Sequence, residues 1–253
     1  MQQLVTLGTA IMFLTRLPVG RFSSGDMRVL TASVRYFPLV GLLVALIMGL
    51  ALAAFSTVLP VGVAVAITLI VGVLATGAFH EDGLADVADG AGAFGVERKL
   101  EIMRDSRIGT YGSLALILCL LLRFSVLFEL AQLSITVAFC ALVVAHAGGR
   151  WSSVYLMSTV PYARAEAANK VVAEGVNASS LMQCTLCLLL VMLIPAVWLA
   201  PWVYVLLFVM WLSCIACARY FKSAFTGITG DCLGAANVIT EVVCLVFILV
   251  MLT

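Results

Sequence analysis

Long apolar stretches alternate with short polar ones along this chain. Seven stretches are long enough to cross a bilayer, which takes about 20 apolar residues in a helix. They cover residues 36–59, 61–79, 113–133, 135–157, 181–199, 202–221 and 236–252. A further apolar segment over 3–15 is shorter, so it is either an additional span or a re-entrant or interfacial helix. The pattern predicts an all-α, polytopic membrane bundle of about seven transmembrane helices plus this short N-terminal helix.

Composition supports a membrane protein and one membrane-embedded domain over residues 1–253. Apolar residues make up 64% of the chain and charged residues only 11%, where a soluble domain carries about 25% charged residues. The first charge, Arg16, follows the first apolar stretch, so the N-terminus lacks the basic region of a cleaved signal peptide. A net charge of +1 and the absence of a basic arm give no indication of nucleic-acid binding.

The charged residues collect on one side of the predicted bundle. Of the 27 formal charges, 24 fall in the segments 16–35, 80–112, 158–180 and 219–241. The intervening turns are short and nearly uncharged. Because the charged segments hold twelve of the fourteen Lys and Arg residues, the positive-inside rule places that side in the cytoplasm. A transporter usually has its polar groups near the midplane, so this pattern favours chemistry at the cytoplasmic face.

Three aspartates follow the second span, in the stretch His80-Glu81-Asp82-Gly83-Leu84-Ala85-Asp86-Val87-Ala88-Asp89-Gly90. On a helix, Asp82, Asp86 and Asp89 lie within an arc of roughly 60° and share one face. Like charges so close persist when a cation or several protons compensate them, and the simplest cation is Mg²⁺, which prefers carboxylate oxygens. The spacing predicts a Mg²⁺ site, with a solvated acidic loop as the alternative. Either His80 or Asp89 is the candidate general base; His80 is otherwise a phosphate contact or an interfacial histidine.

A second motif, running from Arg104 to Gly112, combines arginines with glycines. Glycine lets backbone N–H groups approach a phosphate, and Arg104 and Arg107, three residues apart on a helix, both reach one anion. Beside an acidic cluster, this pattern is typical of metal-assisted phosphoryl transfer. Gly109 and Tyr111 are candidate substrate contacts. The alternative is a juxtamembrane helix whose arginines meet lipid headgroups.

Asp231 lies among glycines near the last span and is a candidate further metal ligand. The predicted topology puts it on the same side as Asp82, so we expect both to face one pocket. The glycines around it also suit close helix contact. Farther along, Asn237 shares a helix face with Glu241 and is a candidate substrate contact.

Four basic residues are additional candidates for binding substrate. Arg150 shares a face with His146 inside a span, so it meets either an anionic substrate group or an acidic partner. Arg16, Arg35 and Lys222 lie in the charged segments. The eight cysteines include two CxxC pairs, but both pairs lie in apolar spans without histidine, so we interpret them as small apolar residues.

With these residues assembled, the chain resembles the cobalamin synthase family, also called adenosylcobinamide-GDP ribazoletransferase. The matching segments are Phe13 to Pro18, His80 to Gly90, Arg104 to Gly112, and Thr229 to Asp231 with Gly234. The resemblance implies a Mg²⁺-dependent enzyme of the bacterial inner membrane. Such enzymes join adenosylcobinamide-GDP to α-ribazole, or to its 5′-phosphate, and release GMP in a late step of cobalamin biosynthesis.

Two other function classes fit the residues less well. A membrane phosphotransferase acting on a CDP-alcohol or a polyprenyl phosphate also needs an acidic cluster and Mg²⁺ at the cytoplasmic face. A transporter for a corrinoid or a divalent cation would move its substrate without nucleotide turnover. A homo-oligomer and association with other enzymes of the corrinoid pathway are both compatible with the sequence.

Overall fold

The computed structural model describes residues 2–163, 175–199 and 202–253. Outside these ranges lie residues 164–174, which include all four charges of the segment expected over 158–180, and the turn near residue 200. Eleven α-helices occur in the described part: α1 Gln2–Leu14, α2 Met27–Ser33, α3 Phe37–Phe55, α4 Val61–Thr76, α5 Phe79–Ala91, α6 Val96–Ile102, α7 Thr110–Leu133, α8 Ile135–Thr159, α9 Ala178–Leu199, α10 Trp202–Phe225 and α11 Gly230–Leu252. Short 3₁₀ turns occupy Gly20–Phe22 and Val34–Tyr36.

The predicted class, a polytopic helical membrane protein, is confirmed. The described residues contain six helices long and apolar enough to cross a membrane, with α2 and α3 counted as one stretch. The bent pair α4 and α5 brings the number to seven if it forms one span. One boundary needs correction. The last helix begins at Gly230, so Glu241, assigned above to a charged segment, lies inside this helix and is 2% exposed.

A sharp bend separates α4 from α5, which carries the acidic motif. The two helices meet at 89°. Two successive residues at the junction are left-handed, Gly77 with φ +67° and Ala78 with φ +58°. Glycine adopts this conformation freely, whereas an alanine there costs about 1–2 kcal/mol. Because of the bend, α5 does not continue the direction of α4; it packs against α7 and α11 instead.

Helix α8 is the centre of the bundle, buried along most of its length, with α3, α9 and α11 packed on it. Small residues allow the helices to approach closely, as is usual between membrane helices. A Cβ atom on Gly41 of α3 would lie 2.6 Å from the carbonyl carbon of His146. On α8 itself, a Cβ atom on Gly149 would lie 2.7 Å from Asn237 Oδ1 of α11. These contacts pack α3 and α11 closely against the backbone of α8.

Helix α1 lies along one side of the bundle. Near its start, Gln3 Oε1 accepts hydrogen bonds from Tyr36 Oη at 2.8 Å and Arg35 Nη2 at 3.2 Å, just before α3. Just after its end, the Arg16 amide donates to the Ala75 carbonyl of α4 at 2.8 Å. The start of α3 and the end of α4 are on the same side because the turn 56–60 joins their other ends. The structure therefore favours the interfacial alternative for α1.

Candidate active site

A cavity of about 140 Å³ lies where α5 meets α11, and both predicted acidic motifs reach it. His80 and Asp82 of α5 line it together with Asp231 of α11. Ser153 and Met157 of α8 contribute to its wall. Thus the expectation that Asp82 and Asp231 face one pocket is confirmed. The two carboxylates are 149 positions apart in the sequence and meet only through the packing of the helices.

Two glycines make this meeting of helices close. A Cβ atom on Gly83 would lie 2.7 Å from the Asp231 carbonyl oxygen and 3.2 Å from the Gly234 Cα. A Cβ atom on Gly234 would in turn lie 3.3 Å from the His80 carbonyl oxygen. At the start of α11, Thr229 Oγ1 accepts from the Cys232 amide at 3.3 Å and donates to Asp231 Oδ2 at 3.2 Å. The carboxylate of Asp231 is therefore held at a helix start that glycine packing fixes against α5.

Asp89 occupies a different position from Asp82, although both lie on α5 as predicted. Its carboxylate accepts from the Gly109 amide at 2.7 Å and from the Gly112 amide at 2.8 Å. These amides belong to the start of α7, so Asp89 caps that helix and favourably meets its dipole. A Cβ atom on Gly109 or Gly112 would collide with the same carboxylate. The sequence predicted that glycine amides meet a phosphate; in the folded chain these two bind Asp89.

The residues around the cavity suit Mg²⁺ in their chemistry. The ion typically takes one or two carboxylates and completes its octahedral shell with water and substrate phosphate. Asp82 and Asp231 supply two carboxylates on one cavity. Asp86 is partly buried one turn beyond Asp82. Within the described ranges, no three His, Cys, Asp or Glu side chains converge into a complete ligand set, so a bound ion would depend on substrate and water for the remaining positions.

The two arginines of the second motif do not lie on a helix, although a helix was expected there. Arg104 and Arg107 lie between α6 and α7. Arg107 Nη2 donates to Asp105 Oδ2 at 2.6 Å, and this hydrogen bond holds the pKa of the Asp105 carboxyl at about 2. Arg104 is exposed and has no side-chain partner within the described ranges. The prediction that a helix brings both arginines onto one anion is therefore wrong. The catalytic role of the two arginines stays a prediction.

Several other predicted substrate contacts lie away from the cavity. Tyr111 is 63% exposed on α7. Lys222 is exposed near the end of α10. Arg35 donates to Gln183 Oε1 of α9 at 3.3 Å, and its guanidinium lies 5.2 Å from the centroid of the Tyr36 ring. These residues stay candidates without a structural link to Asp82.

A buried network of charges runs through the bundle, and only part of it was predicted from the sequence. Glu241 accepts from Arg123 and from Arg150, and its Oε1 lies 2.8 Å from His146 Nδ1. Arg123 Nη1 also donates to Glu81 Oε1 at 2.9 Å. Charges inside a membrane protein persist when they are paired in this way. Arg150 thus has the acidic partner that was one of its two alternatives.

Asn237 belongs to the same network. Its Oδ1 lies 3.4 Å from Arg150 Nη1, and it is fully buried. The four-residue spacings of His146 with Arg150 and of Asn237 with Glu241 were visible in the sequence. The participation of Arg123 and Glu81 was not, because neither has a charged partner at helical spacing along its own span. The substrate-binding role expected for Asn237 stays a prediction.

A larger cavity of about 350 Å³ adjoins the first one. Both are lined by Phe13, Leu30 and Phe79. The larger cavity extends between α1, residues 23–25 and the junction of α4 with α5, where Arg16 reaches it. A Cβ atom on Gly77 would lie 2.8 Å from Arg16 Cγ, so the side chain packs directly over that glycine. Arg16 is therefore the predicted substrate-binding arginine that the fold places beside the site.

Comparison with known proteins agrees with this arrangement of motifs. The family model described as cobalamin-5-phosphate synthase matches residues 6–249. An adenosylcobinamide-GDP ribazoletransferase of Shewanella frigidimarina is 40% identical, over 98% of this chain and 95% of the relative. Relatives of the same name from Shewanella baltica and Shewanella piezotolerans are 39% and 36% identical, over 95% and 98% of this chain and 92% and 96% of their own lengths. No solved structure matches. The chain belongs to the cobalamin-5-phosphate synthase family.

Proposed function

We propose that this protein is a Mg²⁺-dependent transferase that joins adenosylcobinamide-GDP to α-ribazole, or to its 5′-phosphate, and releases GMP. The supporting observation is the cavity on which His80, Asp82 and Asp231 meet. The relatives are named for this activity, and the chain matches them over nearly their whole length. The reaction forms a bond from a ribose oxygen to the phosphorus attached to cobinamide. It breaks the bond from that phosphorus to the oxygen of the departing GMP.

Asp82 and Asp231 would hold the metal, while a metal role for Asp86, one turn beyond Asp82, stays a prediction. When bound there, Mg²⁺ would neutralise oxygens of the pyrophosphate and so favour attack on phosphorus. Asp231 reaches the cavity from a different helix than Asp82, so the pair spans the α5–α11 interface. Asp89, the remaining predicted ligand, uses both carboxylate oxygens to bind the Gly109 and Gly112 amides. We therefore assign Asp89 to holding α7 against α5.

His80 is the group that we assign to removing the proton of the attacking hydroxyl. It lines the same cavity as Asp82 and is 4% exposed. Asp89, the other candidate base, is occupied by the start of α7. When the substrate carries a 5′-phosphate, its 5′ oxygen is blocked, so a ring hydroxyl of the ribose is the nucleophile. A base inside the cavity can meet that hydroxyl within hydrogen-bond distance, which general-base catalysis requires.

Arg104 is our candidate for receiving charge on the departing GMP. It is exposed and unpaired within the described ranges, whereas Arg107 is paired with Asp105. A free guanidinium binds phosphate oxygens through two parallel N–H groups. Both arginines follow α6 on the charged side of the bundle. GMP leaving toward that side would meet them after the bond to cobinamide breaks.

We place the reaction at the cytoplasmic face of the bacterial inner membrane. The charged segments that carry the site hold most of the Lys and Arg residues, as cytoplasmic loops do. The exposed apolar side chains of α7, α9 and α10 contact lipid in this placement. A homo-oligomer, and association with other enzymes of the corrinoid pathway, are compatible with this placement.

The test is a transfer assay with purified protein in detergent. Adenosylcobinamide-GDP and α-ribazole 5′-phosphate are supplied with and without Mg²⁺, and both GMP and the cobamide product are quantified. We expect Mg²⁺-dependent formation of the two products in equal amounts, with activity lost in Asp82→Asn. Glu97→Gln, which changes an exposed acid on α6, is the matched control and retains activity. A folded wild-type protein that forms neither product contradicts the proposal.

A further inference from the structure

The larger cavity, beside α1, has walls that are mostly apolar and aromatic. Phe13 and Phe79 form one wall, with ring centroids 5.5 Å apart at an angle of 74°. Met12 and Leu30 extend the apolar lining. At about 350 Å³, the cavity falls in the usual range for small-molecule sites. Since it shares Phe13, Leu30 and Phe79 with the cavity of Asp82, a molecule bound here is directly beside the reacting groups.

Of the five hydroxyl groups that line this cavity, four donate to a backbone carbonyl, and the fifth, Ser24 Oγ, accepts from the Asp26 amide at 3.2 Å. Thr9 donates to the Val5 carbonyl at 2.8 Å, Thr15 to the Ile11 carbonyl at 2.7 Å and Thr76 to the Gly72 carbonyl at 3.1 Å. Ser23 donates to the Gly20 carbonyl at 3.0 Å. A guanine base presents several donors and acceptors along its edges, and burying them without partners is costly. The lining therefore suits an apolar planar base better than guanine.

Arg16 is the charged group at this cavity. Its stem packs over Gly77 and its amide is fixed to the Ala75 carbonyl, so its position is set by the end of α4. Within the described ranges its guanidinium has no carboxylate partner. A guanidinium without an acidic partner, beside an apolar wall, fits a ligand that combines an apolar ring with a phosphate.

We propose that this cavity binds the acceptor nucleoside, α-ribazole or its 5′-phosphate. The benzimidazole base of the nucleoside lies against Phe13 and Phe79, and Arg16 binds the 5′-phosphate. The assignment rests on the proposed function, because it uses the acceptor of that reaction. Benzimidazole is planar and largely apolar, and the ribose then points toward the adjoining cavity of His80 and Asp82. Arg16 thereby determines whether the enzyme prefers α-ribazole 5′-phosphate over unphosphorylated α-ribazole.

The test compares the two acceptors in the wild type and in Arg16→Gln. We expect the substitution to lower kcat/KM for α-ribazole 5′-phosphate roughly tenfold or more, mainly through KM, because a hydrogen bond to a charged group is lost. The kcat/KM for unphosphorylated α-ribazole changes little in the same variant. Arg16→Lys keeps the positive charge and retains much of the preference. Arg21→Gln removes an exposed arginine of the same segment that does not line the cavity, and leaves both values unchanged.

A binding measurement separates this assignment from the transfer reaction. Equilibrium dialysis of each acceptor against the detergent-solubilised protein needs no turnover. If the wild type catalyses the transfer but Arg16→Gln lowers kcat/KM equally for both acceptors, the assigned acceptor site is wrong and the proposed function stands. If the wild type binds α-ribazole 5′-phosphate in preference to α-ribazole, and this preference depends on Arg16, but no product forms, then the site stands and the proposed function is wrong. If it neither binds nor transfers, both are wrong.

A phospholipid headgroup is the other source of a phosphate beside an apolar surface at this side of the bundle. The same dialysis is therefore repeated with added phosphatidylglycerol. We expect α-ribazole 5′-phosphate to remain bound at lipid concentrations equal to its own. Displacement by phosphatidylglycerol in the wild type, but not in Arg16→Gln, would assign the cavity to lipid and overturn the proposal.

Discussion

Gly83 packs directly against the backbone of Asp231. A Cβ atom on Gly83 would lie 2.7 Å from the Asp231 carbonyl oxygen and 3.1 Å from its Cα. This contact joins α5 to α11 where Asp82 and Asp231 face the same cavity. Because the neighbouring atoms belong to the backbone, an added methyl group has to push one helix away from the other. The relative position of the two carboxylates therefore depends on this glycine.

Gly83→Ala should accordingly impair catalysis more than it impairs folding. Overpacking of this kind costs about 1–3 kcal/mol of stability, while a shift of about 1 Å between reacting groups lowers rates about 100-fold. The measurements are kcat and the thermal midpoint in detergent. Gly20→Ala is the control, since a Cβ atom there meets nothing within 4 Å. Wild-type kcat in Gly83→Ala would show that the helix contact does not position the site.

Asp89 offers a test that separates a helix cap from a metal ligand. Asp89→Asn keeps one acceptor oxygen but turns an NH₂ group toward an amide of the α7 start. We expect a loss of about 1–2 kcal/mol in stability and an unchanged Mg²⁺ concentration for half-maximal activity. The measurements are thermal unfolding and a Mg²⁺ titration of the transfer rate. A much higher Mg²⁺ requirement with unchanged stability would restore Asp89 to the metal site.

The buried network should respond strongly to the loss of one partner. Arg123→Met leaves Glu81 without its guanidinium and removes one of the partners of Glu241. Breaking a buried ion pair in this way costs about 3–5 kcal/mol. We expect a clear drop in the thermal midpoint, partly recovered when Glu81→Gln is added. Arg98→Gln breaks an exposed pair with Glu101 and serves as the control, with little effect.

An unchanged midpoint in Arg123→Met would contradict the network. So would a double variant no more stable than the single one, because Glu81 would then not be the residue left unpaired. Arg123 is 5% exposed in a span, where water cannot easily replace the lost partner.

The sequence predicted the helical class and the approximate spans because apolar length alone decides them. It also placed Asp82 and Asp231 together, since alternating spans put both motifs on one side. The bend at Gly77 and Ala78 was not predicted. A single glycine at the end of an apolar stretch does not distinguish a straight helix from a sharp turn, and the left-handed alanine beside it has no sequence signal.

The role of Asp89 could not be predicted for a related reason. Carboxylates at helical spacing share a face, but a face of α5 contacts several elements at once. Asp89 is two helical turns from Asp82 and binds the start of α7, whereas Asp82 lines the cavity that it shares with Asp231 of α11. The glycines at 109 and 112 carry the signal for this cap, yet the same pattern is expected for a phosphate loop. Only the packing of α5 against α7 distinguishes a helix start capped by Asp89 from a phosphate-binding loop.

We propose that Asp82 and Asp231 act together in one site. A double-mutant cycle on kcat/KM tests it most directly, using Asp82→Asn, Asp231→Asn and the combined variant in the transfer assay at saturating Mg²⁺. We expect each single substitution to lower kcat/KM severely and the combined variant to be scarcely worse than either one. Losses that simply multiply in the combined variant would contradict a shared site.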